Sequence, residues 1–167
     1  MKKAILFATI LLSLGVAGCD NDENNVGKVD TKWNLIGPNH SVTVESFADP
    51  KVDGITCWVS RAKTGGVKGA IGIAEDASDA SIECIQTGPI IIKQTLKSKE
   101  KVFDERLSLL FKQLEVTRMT DLKNNSLVYL TTSTKLIDGS PKNSIAAVTL
   151  QSWEGTAPDI SALTTAK

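Results

Sequence analysis

The stretch Arg61-Ala62-Lys63-Thr64-Gly65-Gly66-Val67-Lys68-Gly69 joins three cations to three glycines within nine residues. Glycine lets the backbone approach a ligand closely, and successive N–H groups beside positive side chains form a nest for an anion. Arg61, Lys63, Thr64, Gly65, Gly66 and Lys68 are therefore the candidate ligand-binding residues, and a small anion is the ligand their chemistry suggests. The glycine spacing and the Lys-Ser/Thr ending of a Walker A loop are absent. The same composition also suits a wide turn between strands, with hydrated cations and with glycines serving a bulge or a barrel corner.

Glu75, Asp76 and Asp79 follow closely, and paired carboxylates in a cleft can do acid and base work. On a short exposed helix they stay hydrated, or pair with Arg61, Lys63 and Lys68. His40, the only histidine, stands in the turn-forming Gly37-Pro38-Asn39-His40 and has no serine or cysteine motif to serve. An enzyme would need Arg61, Glu75, Asp76 and His40 to converge in one pocket. One histidine excludes a metal site built from several imidazoles, and neither a CxxC pair nor an HExxH helix suggests zinc. No catalytic residue, metal or cofactor is assigned, and the chain reads as a binding or interaction module more than as an enzyme.

Compartment is written at the N-terminus. Lys2 and Lys3 precede an apolar run, 4–17, too short to span a bilayer, and Val16-Ala17-Gly18-Cys19 has the form of a lipobox. Residues 1–18 are expected to be a lipoprotein signal peptide, with Cys19 the lipidated first residue of a mature chain in the cell envelope. Two or three acyl chains hold a protein firmly, at about 0.8 kcal/mol per buried methylene. Asp20 directly after the cysteine matches the inner-membrane retention pattern of enterobacterial sorting. Residues 19–26 then form a polar tether. Loss of Lys2 and Lys3 with the signal turns a balance of 19 basic and 19 acidic residues slightly acidic, which argues against a nucleic-acid partner.

With Cys19 given to lipid, Cys57 and Cys84 remain as a pair in an exported protein, and a disulfide follows. Each cysteine lies two residues after an isoleucine, Ile55 and Ile82, so both belong on the buried face of a strand.

The elements that must position these residues are strands. Short alternating runs occur at 32–36, 42–48, 55–62, 81–87, 90–96, 107–111, 114–119, 127–134 and 145–150, with turns at Gly37-Pro38-Asn39, Asp49-Pro50 and Lys123-Asn124-Asn125. Connections this short suit hairpins, so the fold class is mainly β, an antiparallel sandwich or partly open barrel with one disulfide. One short helix is expected at 74–80, and the tail, 154–167, shows no burying period and reads as disordered.

Ile36-Gly37-Pro38-Asn39-His40, Cys57-Trp58-Val59-Ser60-Arg61-Ala62-Lys63-Thr64-Gly65-Gly66, Ala74-Glu75-Asp76-Ala77-Ser78-Asp79-Ala80 and Gly139-Ser140-Pro141-Lys142-Asn143-Ser144-Ile145-Ala146-Ala147-Val148 together resemble the CreA family of bacterial periplasmic proteins. The resemblance covers 27–153, nearly the whole mature domain. It implies an envelope protein and brings no enzymatic activity, cofactor or catalytic residue to carry over. Members of that family tend to carry a conventional cleavable signal, from which the lipobox here departs. A small anion or an envelope protein is the expected partner besides membrane lipid, and Trp33, Trp58 and Trp153 are the residues for an apolar docking patch.

Overall fold

The computed structural model describes residues 24–67, 80–106, 112–135 and 142–163. The lipobox, most of the tether, Lys68, the three clustered carboxylates, nearly all of the expected helix and the expected strand at 107–111 lie outside them. Eight strands are present: β1 (Asn25–Lys32), β2 (His40–Ala48), β3 (Val52–Lys63), β4 (Ala80–Ile92), β5 (Lys99–Arg106), β6 (Lys112–Asp121), β7 (Ser126–Lys135) and β8 (Lys142–Thr149). They form two four-stranded antiparallel sheets, ordered β1-β2-β3-β4 and β5-β6-β7-β8, each a simple meander. The sheets come close along β4 and β8, while stacking of Phe47 on Phe103 at 4.7 Å joins β2 to β5. The sandwich is thus drawn together on two sides, toward a barrel.

Alternation explains the core. On β3 the buried set is Val52, Ile55, Cys57, Val59 and Arg61, and on β7 it includes Leu127, Tyr129, Thr131 and Ser133. Ile55, Cys57, Ile82 and Cys84 share the buried face, as their spacing requires. Cys57 and Cys84 stand directly opposite each other in the β3–β4 register and are joined by a disulfide.

Several boundaries differ from the sequence reading. The first strand is 25–32, not 32–36. It takes in the last two residues of the expected tether and leaves Trp33, Leu35 and Ile36 exposed in the following turn. The runs at 81–87 and 90–96 are largely one strand, interrupted where the β3 partners skip from Gln86 to Ile91. Gly54 makes this irregularity possible: its φ is 80°, and a Cβ there would lie 2.2 Å from the Pro89 carbonyl oxygen. Pro89, which has no N–H to give a ladder, falls within the skipped stretch. β5 has no counterpart among the expected strands. Beyond Trp153 the chain stays in contact with the domain as far as it is described: Asp159 N–H donates to the Ile90 carbonyl, Ile92 N–H donates back to Asp159, and Ala162 and Leu163 pack against the core.

Candidate functional site

Three cross-sheet contacts set the relative level of the two sheets. Asp49, just past β2, meets Arg118 near the end of β6 and Tyr129 near the start of β7, and Lys51 meets Glu100 at the start of β5. The connections 49–51, 93–98 and 122–125 therefore share one end of the domain. It follows that the ends of β1, β3, β5 and β7 and the starts of β2, β4, β6 and β8 lie at the opposite end, the loop end. Binding residues concentrate on loops held by a rigid scaffold, so the two ends invite different readings.

At the loop end the inner faces turn polar. Ser41, Thr43 and Arg61 are buried on β2 and β3, and Thr131 and Ser133 are buried on β7. Arg61 Nη2 donates to Glu45 Oε1 at 2.5 Å, with both side chains largely shielded. The hydroxyls of Thr43, Thr131 and Ser133 are buried without a hydrogen-bond partner. Orphaned buried hydroxyls carry a desolvation cost of about 1–3 kcal/mol each. A bound molecule or water would satisfy such groups, as it would the orphaned Thr120 hydroxyl toward the clamp end.

The glycine loop itself is engaged in packing. Gly66 N–H donates to the Pro38 carbonyl at 2.7 Å, and the Asn34 side-chain amide reaches the same oxygen at 2.9 Å. Asn39 accepts from Asn34 N–H at 3.0 Å and donates to Asp30 at 2.9 Å, fixing the β1–β2 turn. A Cβ on Gly65 would lie 2.1 Å from the Pro38 oxygen, and one on Gly37 would lie 2.7 Å from the Gly66 carbonyl carbon. The glycines thus allow two loops to lie against each other, and one nest N–H is already committed. Arg61 points inward to Glu45, whereas Lys63 is exposed at the end of β3, opposite Ser41, and Thr64 is half-buried. His40 opens β2 opposite Lys32, also at the loop end, so the structure brings it to the same region as Arg61.

The other end holds a charge network that sequence reading missed. Arg118 Nη1 donates to both Asp49 oxygens at 2.6 and 2.7 Å, and its Nη2 donates to Glu100 at 2.5 Å. Lys51 Nζ donates to the other Glu100 oxygen at 2.6 Å, the Lys51 N–H donates to Asp49 at 2.9 Å, and the Tyr129 hydroxyl donates to Asp49 at 3.1 Å. Burial alone would push the Glu100 carboxyl up, but the Lys51 hydrogen bond with the charges of Arg118, Lys51 and Lys97 together hold it below its ordinary value. Burial, and then the Asp49 charge, push the Tyr129 phenol well above its ordinary range. Every charge has an opposite partner, and the arrangement is a clamp closing the sandwich rather than a reactive centre. One signal was available: alternation along Leu114, Val116 and Arg118 puts an arginine where the core face continues. Among the described residues no cluster of three histidine, cysteine, aspartate or glutamate side chains could hold a metal ion.

Fold and site together describe a disulfide-stapled antiparallel β domain, clamped at one end and with buried polar strand residues toward the other. The model of the CreA protein family matches residues 26–153, and the chain belongs to that family. Protein CreA of Escherichia coli strain K12 is 49% identical over 146 residues, covering 85% of this chain and 93% of its own length. The counterparts in the O6:H1 strain CFT073 and in O157:H7 match to the same extent. No solved structure matches significantly.

Proposed function

We propose that this CreA family protein is a lipid-anchored, non-enzymatic binding module of the cell envelope, held to the inner membrane by acylated Cys19 and taking a small polar ligand at its loop end. The three unpartnered buried hydroxyls of Thr43, Thr131 and Ser133 carry the ligand reading. An anion remains the simplest ligand for Arg61, Lys63 and Lys68. Pairing of Arg61 with Glu45 favours one that offers donors as well as acceptors, such as an anionic polyol, because both charges can then be answered together.

Two measurements test the two halves. Cys19→Ser should abolish incorporation of a fatty-acid probe, and continued labelling would remove the anchor; with it absent, Asp20→Ser has nothing to sort. For the ligand, the full chain is screened by thermal shift against sugar phosphates, polyols and inorganic phosphate. Thr131→Val, which removes an orphan hydroxyl while nearly keeping shape, should leave the unliganded protein as stable or stabilise it and should weaken the ligand-induced shift. A shift unchanged by both Thr131→Val and Ser133→Ala would place binding elsewhere.

A further inference from the structure

Six of the eleven large apolar side chains exposed among the described residues lie in 26–36 or at Val67. Trp33 is 70%, Leu35 82%, Ile36 71% and Val67 58% exposed. They are neighbours in space, since Gly37 abuts Gly66 and Gly66 N–H bonds to Pro38, which puts the 33–36 tip beside Val67. The strand leading to this tip is equally unusual. β1 ends the first sheet, so among the described residues one of its edges has no partner strand, and nearly all its residues are exposed, Val26 and Val29 included. Lys28, Lys32 and Lys63 are exposed around the same region, against one exposed carboxylate on β1, Asp30, which accepts from Asn39. A tryptophan with aliphatic neighbours and flanking lysines has the chemistry of an anionic lipid interface.

We infer that the 33–36 tip with Val67 is a second membrane contact, which together with a short tether keeps β1 from standing upright on the bilayer. This inference rests on the acyl anchor proposed for Cys19, and chain length makes it specific. Five residue steps from Cys19 to Asn24 reach at most about 18 Å, whereas the eight residues of β1 extend for about 26 Å. The tether is too short for the domain to stand on the tip with β1 upright. With the tip and the acyl chains both in the bilayer, β1 is tilted to it by at most about 45°, and its tip-proximal residues Lys32 and Val29 lie nearer the lipid than Val26.

The test uses the purified full-length protein, carrying whatever acyl group the cell adds, in phosphatidylethanolamine and phosphatidylglycerol vesicles with brominated acyl chains. Trp58→Phe and Trp153→Phe leave Trp33 as the emitter. Its fluorescence should shift to the blue and be quenched about twofold or more. Leu35→Ser with Ile36→Ser, both at exposed positions, should abolish that quenching while the acylated protein still floats with the vesicles. Unquenched Trp33 in vesicle-bound protein would overturn the contact, as would a dimer in vesicle-free solution that the same pair of changes dissolves. Mass spectrometry of the N-terminal peptide reports acylation independently. A missing acyl group removes the anchor, and quenching of Trp33 still decides whether the tip meets lipid.

Discussion

Arg118 holds both carboxylate oxygens of Asp49 from 69 residues away in sequence, and neither side chain is exposed to solvent. This pair ties the β2–β3 turn of one sheet to β6 of the other. Removing one partner leaves the other charge buried and unpaired, so Arg118→Met alone should cost about 3–5 kcal/mol in urea unfolding. Combining it with Asp49→Leu should recover part of that loss, because a buried pair exchanged for apolar side chains is often neutral.

Glu100 gives the clamp an acid limit. Its carboxyl sits below its ordinary value of 4.5 in the folded protein, so the unfolded chain takes up this proton first as pH falls. The stability it contributes is complete above pH 4.5 and is lost as pH drops through the lower folded value. Glu100→Gln should flatten the acid side of the stability profile and lower the plateau at neutral pH.

Tyr129 sets the alkaline side with the opposite sign. Its phenol stays protonated in the fold, whereas in the unfolded chain it ionises near 10.0, so its contribution is complete below that pH and declines above it. The difference in stability between the native protein and Tyr129→Phe should therefore be constant through neutrality and shrink above pH 10.0. Chemical denaturation at several pH values measures it.

Cys57 and Cys84 are separated by 27 residues, and closing that loop in the unfolded chain is worth about 3.5 kcal/mol on the chain-entropy model. Replacing both with alanine should lower the unfolding free energy by about 2–5 kcal/mol. Non-reducing peptide mapping of the native protein should recover the two cysteines as one cross-linked species.

Gly65 lies against the Pro38 oxygen with no room for a methyl group. Gly65→Ala should push the β1–β2 turn away, cost about 1–3 kcal/mol and raise amide exchange at Gly66, whose N–H bonds to Pro38.

The parts of this architecture legible in the sequence are those where apolar residues alternate over several positions. β2, β3, β6, β7 and β8 meet that condition, and Ile55-x-Cys57 with Ile82-x-Cys84 fixed the disulfide face. β5 did not, because Lys99-Glu100-Lys101 opens it and its contacts depend on Phe103 finding Phe47 across the sheets. β1 was hidden for a related reason: it buries almost nothing, so no alternation marks it, while Trp33, Leu35 and Ile36, read as part of a strand at 32–36, lie in an exposed turn. Arg61 was read from composition as a cation beside a glycine nest, and only coordinates could pair it with Glu45. Asp49 was visible only as half of an Asp-Pro turn, since its partners come from β6 and β7.

The anchor proposed at Cys19 would also decide how the domain responds to being pulled. Tension entering through Asn24 acts first on the bond from Ser46 N–H to the Asn24 carbonyl and on the pairing of Asn25 with Glu45. Those links would open one after another, like a zip, and the strand released buries little apolar surface. Further inward the resistance is greater, since the arginine clamp holds Asp49, just past β2, to the other sheet and the cystine crosslinks β3 to β4. β1 would act as a fuse: a chain pulled by that end would surrender one strand and lengthen, with its hydrophobic core still closed.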